Sequence, residues 1–294
     1  MKRAAKLAFL FACKYLGIFW LFRRLNRSGV RILCYHGFAV APDQSRFRPK
    51  LFMDPAVFRK RMTWLRSAGF QVISLDAAVD AFRSGRTLRD AVVITMDDGL
   101  YGSFLHGIPI TREFGYPVTV YVTTWYVENH KPLDGLVEQY RQWAGSEPGA
   151  DRRFTLMTQG EIAEAARLGV DIQLHTHRHR WPDSDAGIRR EIADNRRVLA
   201  PLVSKPLRHL CYPSGVFSTG DSALLRELGI ASATTLERGM ATAGDDPLRL
   251  PRLLDGSNLT QIEFEARMCG LLTLMQRFYP AQKGAQSAAG LATA

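Results

Sequence analysis

Eight short apolar runs rich in β-branched residues recur along the chain, at 31–35, 71–75, 91–96, 118–124, 171–175, 209–212, 231–235 and 248–253. Helical patterns separate them near 55–68, 76–84, 102–115, 158–168, 185–200, 218–228 and 258–278. This alternation constrains the fold more than any other feature. A strand followed by a helix, repeated, returns each strand parallel to the last, because parallel neighbours need a long crossover. The expected architecture is α/β: a distorted (β/α) barrel with seven to eight parallel strands.

Local punctuation agrees. Asp54-Pro55 places an N-cap before a proline in the first helical turn, Gly69, Gly169 and Gly229 end helices, and Ser257 or Asn258 can cap the last one. At 294 residues the chain is long enough for one large barrel. No composition change divides residues 29–279, which read as the barrel domain. Residues 125–157 break the rhythm with Trp, Pro, Gly and charge, as an insertion that shapes a substrate groove would. Residues 280–294 are small and polar and read as a disordered tail.

The formal net charge is +11, and it is unevenly placed. Residues 1–31 hold eight Lys and Arg and no acid; the rest carries 31 basic against 28 acidic residues. The excess therefore belongs to the N-terminal segment, and nucleic acid is not an expected partner. Residues 7–22 form a strongly apolar run interrupted by Lys14 and flanked by Arg23, Arg24 and Arg27. It is short for a span, which needs about 20 apolar residues, and no small-x-small cleavage pattern follows it. Residues 1–28 are thus read first as an interfacial helix on an anionic leaflet, with an uncleaved anchor and a helix packed on the domain as alternatives. Cys13, Cys34, Cys211 and Cys269 show no paired spacing and read as free thiols, which favours a reducing compartment. The expected location is cytoplasmic, at the inner face of the membrane.

Four segments carry chemistry, each at the end of a strand run, where α/β barrels place their sites. Thr95-Met96-Asp97-Asp98-Gly99 puts two carboxylates side by side, a repulsion that a metal or cation must offset; an ordinary helix cap is the alternative. His175-Thr176-His177-Arg178-His179 concentrates three of the chain's seven histidines. Imidazoles with one carboxylate suit zinc or a similar divalent ion. If the chain turns after the strand, His175 and His179 converge; if the strand continues, His177 shares their face and is a rival ligand. Leu210–Gly215 reads by itself as an ordinary strand-to-helix turn, though its Pro-Ser-Gly can aim a backbone N–H at a reacting oxygen. His36 follows the run 31–35 and gains meaning only if it shares a mouth with the others.

Together these segments resemble the polysaccharide deacetylases of carbohydrate esterase family 4, over most of residues 31–255. Thr95–Gly99 is similar to that family's T-F-D-D-G signature with Met for Phe, and His175–His179 to its H-[ST]-x-x-H. Leu33–His36 and Leu210–Gly215 are similar to the Y-H strand and [FL]-x-Y-P-x-G of one branch. The resemblance implies Asp97 as general base, Asp98, His175 and His179 as metal ligands, the Ser214 N–H in the oxyanion hole and His36 as general acid. Zinc is the expected ion, with cobalt and nickel as alternatives. Two departures stand out. Cys211 occupies a position where many members carry arginine, and Arg252 is the candidate replacement beside Asp97. No C-terminal L-x-H motif follows residue 255, so the acid rests on His36, with His177 and His106 as substitutes.

The expected function is metal-dependent hydrolysis of N-acetyl groups on a polysaccharide or oligosaccharide of the N-acetylglucosamine type. An O-acetyl esterase on xylan or another glycan is the nearer alternative, and a non-catalytic sugar-binding barrel the further one. The expected partner is an acetylated glycan, with membrane contact through residues 1–28; oligomeric state is not encoded in any feature of the sequence.

Overall fold

All eight runs become strands of one sheet. The computed structural model describes residues 3–149 and 152–278. Its strands are β1 (Arg31–Tyr35), β2 (Gly37–Phe38), β3 (Phe52–Met53), β4 (Gln71–Val72), β5 (Ala91–Met96), β6 (Thr119–Val122), β7 (Asp171–Leu174), β8 (His209–Cys211), β9 (Ser232–Arg238) and β10 (Leu250–Leu254). Seven strands in the order β1-β10-β9-β8-β7-β6-β5 pair in parallel, and β1 pairs with β5 to close the ring. The expected eighth strand, β4, lies outside the ring on the edge of β5. The short β2 and β3 form a separate pair.

Strand periodicity sorts the two faces of the ring. Val92, Ile94 and Met96 of β5, with Leu33 and Tyr35 of β1, pack in the large outer cluster that also takes Phe58, Met62 and Leu65 from the helix Pro55–Ser67. The opposite parity, Ile32, Val93, Tyr121 and Cys211, forms a second cluster with Leu75, Ala78 and Val79 of the helix Leu75–Arg83. The upper part of that inner face is polar: Thr95, Arg252 and Asp97 are all buried there. Charge inside a barrel must be paired to be tolerated, and this charge belongs to the site described below.

Several element ends differ from expectation. The stretch 258–278 is two helices, Gln261–Met268 and Leu271–Phe278, because Gly270 sits at φ +94 and breaks the turn. Its cap is Thr260, not Ser257 or Asn258: Thr260 and Glu263 form a reciprocal capping box. The stretch 102–115 starts with a π-helical turn, Ser103–Gly107, before the α-helix Ile108–Glu113. The apolar N-terminal run is likewise two helices, α1 (Arg3–Tyr15) and α2 (Ile18–Leu25), bent by 75° at Gly17, which has φ +75. No single described helix is long and apolar enough to cross a membrane. The insertion contains the helices Thr124–Asn129 and Leu136–Ala144. Its residues 150 and 151, and the expected tail 280–294, lie outside the described residues.

Candidate active site

The C-terminal ends of β1, β5, β7 and β8 deliver His36, Asp97-Asp98, His175–His179 and Pro213–Gly215 to one cleft. His36, Asp97, Asp98, His175, His179 and Ser214 all line it. The turns that aim these side chains are strained. Among the described residues, seven other than glycine have positive φ, and four of them, Asp98, Thr176, His179 and Ser214, belong to this site. Such conformations cost free energy and persist where the surroundings over-determine them. Asp98 stands in the left-handed region, at φ 69. Gly215, at φ 68, follows Ser214, and a Cβ there would come within 2.8 Å of Leu236.

The chain turns after β7, and that turn decides between the histidines. Asp98 Oδ1 lies 3.3 Å from His175 Nε2 and 3.3 Å from His179 Nε2. His175 Nδ1 donates to the Cys211 carbonyl at 2.8 Å, which turns Nε2 toward Asp98. Burial pushes His179 down to about 4, against the pull of Asp98, so its ring is neutral. His177 is turned out of the cleft: its Nδ1 bonds Thr124 Oγ1 at 2.9 Å and its Nε2 faces Glu128. His106 lies on the π-helical turn and does not line the cleft. Neither expected substitute for His36 reaches the site.

One carboxylate oxygen and two imidazole nitrogens, all within 4.8 Å of one another, form a donor set that fits a divalent ion. The orientation of the His175 ring fits it as well. A mixed nitrogen and oxygen set of this kind suits zinc, cobalt or nickel alike.

Asp97 sits beside this set in a different environment. Arg252 Nη1 donates to its Oδ1 and Nη2 to its Oδ2, both at 2.7 Å, in a fork-to-fork pair. The thiols of Cys211 and Cys34 approach Oδ2 at 3.4 and 3.6 Å, and His36 Nε2 stands 3.9 Å from it. Arg252 is itself fixed by donating through Nε to the Thr235 carbonyl at 2.9 Å. Burial alone would raise the Asp97 pKa, but the Arg252 charge and its hydrogen bonds outweigh that and hold the carboxyl well below its usual range. Asp98 is also held low, burial being outweighed by the two histidines with a contribution from His36. Cys34 and Cys211 are free and buried, as expected, but they touch Asp97 and do not merely fill space.

Two further residues hold the histidine loop and were not singled out in the sequence. Asn195 Oδ1 accepts from the His175 amide at 3.0 Å, and its Nδ2 donates to Val122 O and Thr124 Oγ1, each at 3.0 Å. Glu191 accepts from the Arg178 amide at 2.7 Å. Both lie on the helix Asp185–Leu199, whose buried stripe runs Ile188, Glu191, Ile192, Asn195, Leu199. Two polar residues on an apolar stripe were the signal available. The insertion contributes Tyr126, Leu133, Asp134 and Leu136 to the cleft wall, and Arg48 and Leu51 face them.

A parallel barrel carrying a carboxylate-and-histidine donor set at its strand ends defines the class. Residues 84–233 match the family model described as polysaccharide deacetylase, and the chain belongs to that family. It is 35% identical over 152 residues to the poly-beta-1,6-N-acetyl-D-glucosamine N-deacetylase of Escherichia coli (strain K12), a match covering 51% of this chain and 21% of that protein. The chain thus matches about a fifth of the length of this curated relative. Among solved structures, the Streptococcus pyogenes deacetylase PplD in complex with acetate superposes with TM-score 0.67 at 20% identity, covering 82% of this chain and 99% of that one. IcaB from Ammonifex degensii superposes with TM-score 0.65 at 20% identity, covering 82% and 97%. At these identities the likeness is one of fold.

Proposed function

We propose that the protein is a metal-dependent hydrolase that removes N-acetyl groups from a glycan of the N-acetylglucosamine type. The observation that carries this reading is the juxtaposition of two unlike carboxylates. Asp98 faces two histidine nitrogens at 3.3 Å, and Asp97 is clamped by Arg252 at 2.7 Å in the same cleft. One is placed to ligate and the other to move a proton. A sugar-binding barrel without catalysis has no need of this pair.

Asp98, His175 and His179 would hold the ion. A divalent metal there supplies a lowered pKa for water and polarisation of the acetyl carbonyl. Asp97 takes the proton of the attacking water, its carboxylate kept ionised and oriented by Arg252. The Ser214 N–H, presented by the left-handed turn, stabilises the oxyanion as the carbonyl becomes tetrahedral. His36, at the edge of the cleft, donates a proton to the departing sugar amine, and acetate and a free amino sugar result.

The E. coli relative is named for N-deacetylation of poly-β-1,6-N-acetyl-D-glucosamine, which supports an amide over an ester. An amine is also the poorer leaving group, and a histidine beside the base serves it where an ester needs less help. The compartment we propose is the cytoplasm, supported by four cysteines that are all free. The test is acetate release from β-1,6- and β-1,4-linked N-acetylglucosamine oligomers and from O-acetylated xylan, before and after chelation and after readdition of zinc, cobalt or nickel. Release from an N-acetylated oligomer that stops on chelation is expected. Release from acetylated xylan alone makes the protein an esterase, and chelator-insensitive release removes the metal from the reading.

A further inference from the structure

The N-terminal helices have one face committed to the barrel and one face without a partner. Leu10, Cys13 and Phe19 pack on Ile262, Ala266 and Leu272, and Lys6 and Lys14 each pair at 2.7 Å with Glu263 and Glu265. The other face exposes Phe11, Tyr15, Leu16, Trp20, Leu21 and Leu25, with Tyr15 at 84% and Leu16 at 76%. Among the described residues, seven of the twelve exposed large apolar side chains lie between positions 9 and 25. Scattered apolar residues are ordinary on a surface, but a concentration of this kind marks a contact.

Charge selects the occupant. The first acidic residue of the chain is Asp43. Arg24 and Arg27 are exposed beside the apolar face, and Arg24 lies 5.6 Å over the Trp20 ring. A second copy of the same face would set these cations against one another with no acid to receive them. An anionic lipid leaflet supplies both the apolar phase and the counter-charge.

The position of the helices then sets the orientation of the site. Arg23 donates to Asp90, which directly precedes β5, at 2.9 Å, and to the Ala68 carbonyl, ahead of β4, at 2.6 Å. Arg31, the first residue of β1, donates to the carbonyls of Asn26 and Met268. Every one of these contacts is at the end of the barrel where strands begin. Asp98, His175 and Ser214 are at the end where strands finish, which along β1 alone is roughly 13 Å away.

We infer that α1 and α2 seat the protein on an anionic membrane surface with the catalytic cleft turned away from the bilayer. The cleft then receives glycan that reaches it from the aqueous side, and a sugar held at the headgroup layer is out of reach. The glycan in this statement rests on the proposed deacetylase activity. The seating does not, and it is measured without substrate.

The experiment is flotation of the full-length chain with vesicles of phosphatidylcholine alone and with about one third phosphatidylglycerol, followed by tryptophan quenching with brominated lipid. Binding to the anionic vesicles is expected, weakened at least about tenfold by Arg24→Glu with Arg27→Glu. Trp20→Phe should retain binding and lose much of the quenching, since Trp20 is 64% exposed on α2, whereas Trp64, the other tryptophan near that end, packs against Phe70 and Phe264. Both variants change exposed residues, and circular dichroism verifies their folding. Absence of binding to anionic vesicles overturns the inference. So does quenching undiminished in Trp20→Phe, or a stable dimer in sedimentation equilibrium that Leu16→Ser dissociates.

Discussion

At the residue scale the pairing of Asp97 with Arg252 is the main dependence of the site. Both groups are buried, at 2% and 0% exposure, and each charge is compensated chiefly by the other. Removing one partner of such a pair leaves an uncompensated charge, at a cost of about 3–5 kcal/mol. Arg252→Leu should therefore destabilise the protein by that order in denaturant unfolding, and raise the Asp97 pKa, because burial is then opposed only by His36 and His175. Acetate release should fall more than a hundredfold, with zinc binding retained because Asp98, His175 and His179 are untouched. Wild-type stability in Arg252→Leu would show that the guanidinium is not what keeps Asp97 ionised. The sequence offered Arg252 as a candidate because Cys211 left a cation missing. The two side chains indeed share one space, with Arg252 Nη2 donating to Cys211 Sγ at 3.2 Å. What could not be read is that strands 155 residues apart in the chain bring Arg252 and Asp97 together.

At the element scale the helix Asp185–Leu199 acts as the support of the histidine loop. A buried asparagine that bonds three backbone or side-chain groups holds them more firmly than packing does, and each lost partner leaves a polar group unsatisfied. Asn195→Ala should weaken metal affinity by about 10–100-fold, the range seen when groups behind a ligand are lost. Competition with a chromophoric chelator measures this directly, and unchanged affinity would reduce Asn195 to a packing residue. The choice among the three histidines belongs to the same scale. Strand periodicity alone would put His175, His177 and His179 on one face. The left-handed residues Thr176 and His179 end the strand and send His177 toward Thr124.

At the scale of the whole molecule, the barrel and the N-terminal helices are joined by an apolar seam and three ion pairs, Lys6–Glu263, Lys14–Glu265 and Arg23–Asp90, and the first of these makes the seam sensitive to acid. Burial alone would lift the Glu263 pKa, but hydrogen bonds from Lys6 and from the amide and hydroxyl of Thr260 prevail and bring it down to about 2. The folded value lies below the ordinary 4.5. Its contribution to docking is thus complete above that pH and is lost as pH falls from there toward 2. Hydrogen exchange in residues 3–25 should accelerate across this window before the barrel strands do, and Glu263→Gln should flatten the dependence. Equal acceleration of β1 and β5 in the same window would mean the helices do not detach as a unit. Lys6 is partly exposed, so salt should reduce the effect.

By itself the sequence determined the alternation of strands and helices, and so a parallel α/β ring with loops gathered at one end. It also determined which short segments carry donors: the adjacent aspartates, the histidine cluster and the Pro-Ser-Gly turn. These are local patterns, set by side-chain periodicity and turn chemistry over a few residues. The tertiary structure alone decided that seven strands close while the eighth stays outside, because closure depends on pairing between the first strand and the fifth. It decided that Arg252 meets Asp97, that Asn195 stands behind His175, and that the apolar N-terminal run bends with one face left bare. The bend itself is made locally by Gly17, but which face it leaves bare, like the other contacts, depends on segments far apart in the chain and on how the ring curves.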